Sequence, residues 1–236
     1  MLKHTEIPCE DCPAARNSCF DTLDKADISY LNDQKTLRFI KKGDTLYEQG
    51  SNPHGIYCLR EGRLKLYQNG KDGREHIVRI AIPGELVGLK ALVGGNPHSV
   101  SATAMEDSLV CFILKPDFLQ LMVKYPEFTR TIVGILSRLL DDAESRLISL
   151  AYKPVRERLA ETLIYLNNTF HPNGGAEKDT YLNLTRMDLA NIIGVAQETL
   201  IRVLADFREE RVIRVKGRKI FLSNMDKLDS IANPNK

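Results

Sequence analysis

The stretch that decides the fold is "LTRMDLANIIGVAQETLIRVLADF", residues 184–207, which has the pattern of two short helices joined at Gly194. Thr185 is placed to cap the first helix and Asp188 to close a capping box with it. Ala190 is small where the second helix must approach, and Gly194 permits a left-handed turn. The predicted buried positions are Leu189, Ile193, Val195, Leu200 and Val203. A helix-turn-helix of this kind places its second helix in the major groove of DNA.

The second helix carries side chains that can read bases. Gln197, Glu198, Ile201 and Arg202 fall on the side away from the predicted buried positions. Arginine bonds bidentately to guanine, glutamine bonds to adenine, and glutamate accepts from cytosine. Glu198 and Arg202 are also four residues apart, so a simple ion pair on the helix surface is the alternative. The residue types alone leave both interpretations open.

The segment "RVIRVKGRKIFLS", residues 211–223, consists of two strand-like runs joined at Lys216 and Gly217. This pattern predicts a hairpin wing with Lys216, Arg218 and Lys219 at its tip, where basic side chains would contact phosphates. Residues 206–219 hold six basic against three acidic residues, whereas residues 1–36 hold four against seven. A helix-turn-helix followed by a basic wing predicts that the chain binds double-stranded DNA.

The middle of the chain has a different pattern. Ten of the fifteen glycines lie between Gly43 and Gly95, among short runs with alternating hydrophobicity. This pattern predicts an antiparallel β domain over residues 37–115. The run "QNGKDGRE", residues 68–75, is predicted to be a hairpin tip, because Asn-Gly and Asp-Gly supply the backbone conformations that tight turns need.

From Pro116 onward the hydrophobic period becomes helical. An apolar seam with gaps of three and four residues predicts a long helix whose exposed edge forms a dimer interface. Burial of the whole helix within one subunit is the alternative. A second stripe in the first half of the helix, with Phe128 and Ile132, would pack on its own domain. The seam consists of Val133, Leu136, Leu140, Ala143, Leu147 and Leu150.

Across residues 20–230 the chain resembles the Crp/Fnr family of bacterial transcription regulators, and "MDLANIIGVAQETLIRVLADF" is the most specific match. The resemblance implies an α+β fold: an N-terminal antiparallel β-roll, which is a jelly roll like that of cyclic-nucleotide-binding domains, a long dimerisation helix and a C-terminal winged helix-turn-helix. The expected domains are a Cys-rich segment and helix (1–36), the sensor β-roll (37–115), the dimerisation helix region (116–151) and the DNA-binding domain (152–236).

The resemblance also implies partners and contact residues. The family reads operator half-sites with an E-x3-R pattern, which falls on Glu198 and Arg202 in this chain. We expect a homodimer on a pseudo-palindromic operator and contact with RNA polymerase. The expected DNA-binding residues are Thr185, Gln197, Glu198, Thr199, Ile201, Arg202, Lys216, Arg218 and Lys219.

Cyclic AMP is disfavoured as the effector. Nucleotide-binding members of the family hold the ribose with a Glu on a short helix and the phosphate with Arg-Ser or Arg-Thr. Here the aligned positions are Leu89 and His98-Ser99. An apolar residue cannot bond a ribose hydroxyl, and a histidine is a poor substitute for a permanent guanidinium. A "GEL" at residues 84–86 sits too early and is expected to end a strand.

The cysteines suggest a different effector. "CEDCPAARNSC" places Cys9, Cys12 and Cys19 close together, in a polar segment where nothing is expected to pack against them. The oxygen-sensing Fnr branch has such a cluster and one further cysteine on a late β-roll strand, here Cys111. The resemblance therefore implies a 4Fe-4S cluster that responds to oxygen or nitric oxide. The spacing of six residues before Cys19 departs from the five of the branch. Zinc or a thiol switch, haem and an unidentified small molecule remain alternatives, and Cys58 is interpreted as a buried hydrophobe.

Composition excludes other classes. The N-terminus lacks the apolar region of a secretory signal, and no run of about 18 apolar residues occurs, so we expect a cytoplasmic protein without membrane contact. No Ser/His/Asp, paired-carboxylate or phosphate-loop arrangement is found, and the five histidines are scattered. We therefore expect no enzyme activity. A sensor enzyme or metal-storage protein with an accessory helix-turn-helix is the alternative from another class.

Overall fold

A computed structural model describes residues 8–14, 19–70, 73–171 and 180–234 of the chain. It divides into two compact units, the first formed by Met1–Gln68 with Val78–Asp141 and the second by Asn69–Ile77 with Asp142–Lys236. Residues 15–18, which are part of the interval between Cys12 and Cys19, lie outside the described residues, as do residues 71–72 of the predicted hairpin tip.

The β-roll consists of two four-stranded sheets, with strand orders β1-β8-β3-β6 and β2-β7-β4-β5. Its strands are β1 (Thr36–Ile40), β2 (Thr45–Tyr47), β3 (Gly55–Glu61), β4 (Leu64–Asn69), β5 (Glu75–Ala81), β6 (Leu86–Val87), β7 (Ser101–Ala104) and β8 (Ser108–Leu114). The predicted antiparallel β domain is confirmed. The first residue of β3, Gly55, has to be a glycine, because a Cβ at this position would collide with the carbonyl oxygen of Ile113 on β8.

One detail of the strand prediction is wrong. Gly84 and Glu85 lie in the turn between β5 and β6, so "GEL" opens a strand and does not end one. Gly84 has a φ of +95°, which is typical of glycine in a turn. The Glu85 carboxylate accepts a hydrogen bond of 2.8 Å from Arg79, so this side chain already has a partner within the roll.

In the part of the chain that the structure describes, four helices accompany the β-roll. They are α1 (Lys25–Gln34), α2 (Leu89–Gly94), α3 (Lys115–Lys124) and α4 (Pro126–Tyr152). Two short 3-10 turns, Cys9–Asp11 and Cys19–Thr22, precede α1. The helical region after Pro116 is interrupted at Tyr125, which takes an extended conformation because a proline follows it.

The start of α4 is anchored in the core of the first unit. Phe128 and Ile132 are fully buried there, whereas Val133 and Leu140 are more than half exposed. The Phe128 ring contacts Phe118 at 5.4 Å and Phe20 at 5.9 Å between ring centroids. The second apolar stripe therefore packs on its own unit, as expected.

Polar contacts also join α1 to the segment that precedes α4. The Tyr125 hydroxyl donates to the carboxylates of Asp27 and Asp24, and Lys124 lies 2.7 Å from Asp27. These two acceptors, Asp27 first, raise the pKa of the Tyr125 hydroxyl to about 12. The hydrogen bond from Lys124 is the main reason why the pKa of Asp27 is lowered. The Cys-rich end of the chain is thus tied to the long helix by apolar and polar contacts.

The second unit is a winged helix-turn-helix. Its elements are α5 (Val155–Phe170), β9 (Leu182–Asn183), α6 (Arg186–Ile193), α7 (Gln197–Glu209), β10 (Ile213–Lys216), β11 (Lys219–Leu222) and α8 (Met225–Ala232). β11 pairs antiparallel with both β10 and β9. The predicted fold class is confirmed. Within the described ranges, no helix is both long and apolar enough to cross a membrane.

We expect Phe128→Ala to lower the free energy of unfolding of the first unit by about 3–5 kcal/mol, because it leaves a cavity between Phe20 and Phe118. Urea denaturation followed by circular dichroism measures this change. Val123→Ala is the matched control: its side chain is 86% exposed, and a change within about 0.5 kcal/mol is expected. An equal loss of unfolding free energy in the two variants would contradict the anchoring of α4 by Phe128.

Candidate functional site

The helix-turn-helix is built by local interactions. The Thr185 hydroxyl accepts a 2.9 Å hydrogen bond from the Asp188 amide and donates a 2.6 Å hydrogen bond to the Asp188 carboxylate. Gly194 ends α6 with a φ of +73°, and its amide donates to the Ala190 carbonyl. Because both ends of α6 are capped by neighbours in the chain, these residues could be identified from the sequence.

The outer face of α7 is available to a ligand. Glu198, Ile201 and Arg202 are exposed, Gln197 and Thr199 are half-buried, and Leu200 and Val203 face the core. Among the residues that the structure describes, Glu198 and Arg202 form no ion pair with each other. The alternative of a surface ion pair therefore lacks support, and both side chains project from the helix with their hydrogen-bonding groups available.

The wing adds positive charge beside this helix. Lys216 pairs with Lys219 across the hairpin, and Gly217 and Arg218 form the exposed tip. The Lys219 ammonium also lies 3.9 Å from the ring centroid of Tyr181, which limits its motion. The geometry can present Lys216 and Arg218 to a phosphate backbone.

Arg186 is a basic residue that the sequence analysis missed. It is the first residue of α6, and its guanidinium donates a 3.0 Å hydrogen bond to the Gly217 carbonyl in the wing. Burial lowers the pKa of Arg186. Nη1 of this guanidinium is buried without a hydrogen-bond partner among the described atoms. The sequence shows that Arg186 directly follows the N-cap Thr185, but its contact with Gly217, 31 residues away, is a tertiary contact.

The cysteines, although distant in sequence, are neighbours in the first unit. Cys111 on β8 lies directly opposite Cys58 on β3, and both belong to the same buried cluster as Cys19. The pKa of the Cys58 thiol is raised by burial first and then by Cys111, Cys19, Cys12 and Cys9. The other four cysteines therefore all act on the Cys58 thiol in the same direction. Cys58, interpreted from the sequence as a lone buried hydrophobe, is a member of this group.

The expectation that nothing packs against the N-terminal cysteines is wrong for Cys12 and Cys19. Cys12 is 8% and Cys19 only 3% exposed, and Cys19 joins the core beside Phe20 and Leu23. The physical reason is that the 3-10 turn Cys19–Thr22 folds onto the β-roll and carries Cys19 with it. Packing in the core is thus one reason for a cysteine at position 19, apart from any metal binding.

Positive charge surrounds these thiols. The Lys35 ammonium lies 3.3 Å from the Cys9 sulphur and 2.6 Å from the Asn32 side-chain oxygen, which also accepts from the Cys9 amide. Burial raises the pKa of the Cys111 thiol, whereas Lys35 and, more weakly, the buried Arg60 act in the opposite direction. Cations near sulphur stabilise thiolates, which are the form that binds metals.

The thiols are neighbours without forming a closed ligand set. In residues 8–14, 19–70, 73–171 and 180–234, no group of three or more His, Cys, Asp or Glu is arranged so that it could hold a metal ion. The donor chemistry suits a soft metal or an iron-sulphur cluster.

The cyclic-nucleotide positions do not fit that ligand. Leu89 at the ribose position is only 2% exposed. His98 is buried and stacks on Tyr47 with 3.8 Å between ring centroids. Burial lowers the pKa of His98, so its ring is neutral at pH 7 and supplies no permanent charge for a phosphate. Of Leu89, His98 and Ser99, only Ser99 has the residue type of the family pattern. Its hydroxyl is buried without a hydrogen-bond partner among the described atoms.

The seam on α4 remains exposed in the single chain. Val133, Leu140, Leu147 and Leu150 expose between 41% and 68% of their surface, and Ala143 is exposed as well. Leu136 is half-buried against the core of the first unit. An apolar stripe of this kind on a long helix is a typical subunit interface.

Comparison with known proteins agrees with this geometry. Residues 37–125 match the cyclic nucleotide-binding domain family, and residues 157–231 match the Crp-like helix-turn-helix domain family. The transcriptional activator protein Anr of Pseudomonas protegens is 30% identical over 233 residues, which cover 98% of this chain and 95% of Anr. The fumarate and nitrate reduction regulatory protein of Vibrio cholerae is 29% identical over 98% of this chain and 92% of its own.

Solved structures show the same fold. FixK2 from Bradyrhizobium japonicum superposes with a TM-score of 0.74 at 22% identity, over 84% of this chain and 96% of that chain. The global regulator CLP of Xanthomonas campestris gives a TM-score of 0.72 at 22% identity, over 84% of this chain and 99% of the CLP chain. Both sequence relatives are named for regulation, one as a transcriptional activator and the other as a regulatory protein.

We expect Arg202→Ala and Arg218→Ala to weaken DNA binding in different ways. Loss of a base contact by Arg202 costs about 1–3 kcal/mol and relaxes sequence preference at one operator position, whereas loss of a phosphate contact by Arg218 weakens all sequences and lowers the salt slope by about 1.

The operator is first selected from random duplexes with the wild-type protein. Fluorescence anisotropy on this operator and its single-base variants, at several salt concentrations, then distinguishes the two effects. If Arg202→Ala retained full discrimination at every operator position, the assignment of base reading to this residue would be wrong.

Proposed function

We propose that this chain, which belongs to the Crp/Fnr family of transcription regulators, is a homodimer that binds a pseudo-palindromic DNA site under the control of an iron-sulphur cluster. The ligands in this proposal are Cys9, Cys12, Cys19 and Cys111. The observation that supports it is that Cys19 and Cys111 lie in one buried cluster, while Lys35, whose ammonium is 3.3 Å from the Cys9 sulphur, also acts on the pKa of the Cys111 thiol.

The four cysteines support an iron-sulphur cluster better than they support zinc, and better than the nucleotide positions support a cyclic nucleotide. Four thiolates are what a 4Fe-4S cluster requires, and a fourth ligand far away in the chain is normal. A 4Fe-4S cluster with four thiolates is anionic, so the neighbouring Lys35 ammonium, 3.3 Å from the Cys9 sulphur, favours its binding. A zinc site made by the same thiols is the runner-up. The cyclic-nucleotide positions, with Leu89 buried and His98 neutral, support neither cyclic AMP nor a related ligand.

Such a cluster would supply reactivity toward oxygen or nitric oxide, which destroy it. The protein's own contribution is the mechanical link from the thiols to α4. Cys19 is followed by Phe20, whose ring packs on Phe128 in the first turn of α4. Asp24 and Asp27 hold the adjoining Tyr125 by hydrogen bonds. A change in the position of the Cys-rich segment would therefore be transmitted to the start of the dimer helix.

The proposed dimer contact lies on the same helix, α4. Members of this family bind DNA as dimers, and the exposed seam of α4 is the surface that we assign to the dimer contact. Two copies of α7 related by twofold symmetry would then read two half-sites of one operator. Contact with RNA polymerase and a cytoplasmic location are part of this proposal, because a regulator acts where DNA is transcribed.

We expect anaerobically purified wild-type protein to contain about four iron and four sulphide per chain, with a visible absorption band, and to lose both on exposure to air. Cys12→Ser and Cys111→Ser should each abolish iron retention, because each removes a ligand. Cys58→Ser removes a neighbouring buried thiol outside the proposed ligand set and should retain the cluster. Zinc in place of iron under these conditions would overturn the cluster and support the runner-up.

We expect Leu140→Glu to convert the dimer into a monomer and to weaken operator binding, because it places a charge on the apolar seam. Analytical ultracentrifugation measures the oligomeric state. Ser145→Glu introduces the same charge at an exposed position outside the seam of the same helix and should leave the dimer intact. A dimeric Leu140→Glu protein would contradict the assigned interface.

A further inference from the structure

Cys58 has no role in the ligand set above, yet its position relative to Cys111 is closely defined. The two residues are directly opposed partners on the antiparallel strands β3 and β8. Side chains of directly opposed residues lie on the same face of a sheet. Both thiols belong to the same buried cluster, and neither forms a disulfide.

The separation of the two backbones suits a covalent bond. Directly opposed residues in an antiparallel pair have Cα atoms about 4.5 or 5.5 Å apart. A disulfide joins residues whose Cα atoms are about 4.4–6.8 Å apart, so the spacing of directly opposed residues lies within the range that a disulfide spans. The strands cannot slip, because β3 also pairs with β6 at Cys58 and β8 pairs with β1 at Cys111.

The geometry points to a redox-active dithiol: we propose that Cys58 and Cys111 form a cross-strand disulfide when the metal-free protein meets hydrogen peroxide. Burial raises the pKa of both thiols, so the reaction proceeds through the small thiolate fraction of one of them. That thiolate attacks a peroxide oxygen and becomes a sulfenic acid as hydroxide leaves. The second thiol then displaces the sulfenic hydroxyl, which departs as water. In total two thiols and one hydrogen peroxide give one disulfide and two waters, so the peroxide accepts the two electrons that the sulphurs lose.

We choose hydrogen peroxide as the oxidant because Cys58 and Cys111 are both buried. Cys58 is 8% and Cys111 9% exposed, so a small oxidant reaches them more readily than a bulky disulfide does. Cys19 lies in the same cluster but on a 3-10 turn, so no strand register holds its sulphur opposite Cys58. The register therefore selects Cys111 as the partner of Cys58.

The consequence of this bond, unlike the bond itself, rests on the proposed function. A Cys111 sulphur held in a disulfide cannot act as a metal ligand, because the thiolate is the ligand. Oxidation of the pair would therefore remove the one ligand that comes from the β-roll and would block cluster assembly until a reductant restores it. Peroxide would thus act on the same regulator by a route separate from destruction of the cluster.

Peptide mapping tests the bond directly. Full-length protein purified in air is treated with hydrogen peroxide, alkylated in denaturant and digested with trypsin. Cys58 then lies on the peptide 43–60 and Cys111 on 91–124, whereas the N-terminal cysteines lie on 4–16 and 17–25. We expect peptides 43–60 and 91–124 to be joined, a fall in free thiols from the five of the sequence to three, and reversal by dithiothreitol.

Two variants sharpen the test. Cys19→Ser removes a buried thiol of the same cluster and should leave the cross-link unchanged, whereas Cys58→Ser should abolish it. A link from Cys58 to any other cysteine, or sulfinic acid at Cys58 without a link, would overturn the proposal. Anaerobic iron loading of oxidised and then reduced wild-type protein tests the consequence separately. If neither form binds iron, the cluster proposal fails while the mapped disulfide still stands.

Discussion

The packing of Phe20 against Phe128 is the contact on which the proposed coupling of the cysteines to the long helix depends. It joins the short turn that carries Cys19 to the first turn of the long helix, in the core of the first unit. The Phe118 ring packs on Phe128 as well. The same helix buries Phe128 and Ile132 but exposes Leu140 and Leu147, so one helix carries both the anchored end and the apolar seam.

The second constraint is the pairing of β3 with β8, which places Cys58 opposite Cys111 and brings both into reach of the N-terminal thiols. Lys35 and, more weakly, Arg60 oppose the rise that burial causes in the pKa of the Cys111 thiol. The β-roll thus keeps the general architecture of a nucleotide-binding domain while the nucleotide positions themselves are apolar or neutral, at Leu89 and His98.

The DNA-binding unit was the easiest part to predict, since its signals are local. The cap formed by Thr185, the turn at Gly194 and the exposure of Arg202 follow from residues within one or two helical turns of each other. The position of Arg186 directly after the cap is equally local, but its contact with Gly217 is a tertiary contact. The break at Tyr125 was also readable, since Pro126 forces it.

The amino-acid sequence by itself determined the order of the elements, the apolar seam, the helix-turn-helix with its basic wing and the types of ligand available. Each of these depends on short-range periodicity, capping or composition, which are properties of neighbouring residues. Only the tertiary structure decided that Cys19 is buried and that Cys58 faces Cys111. These facts depend on strand register and on how the N-terminal turns pack against the roll, and both are set by contacts between residues that are far apart in the chain.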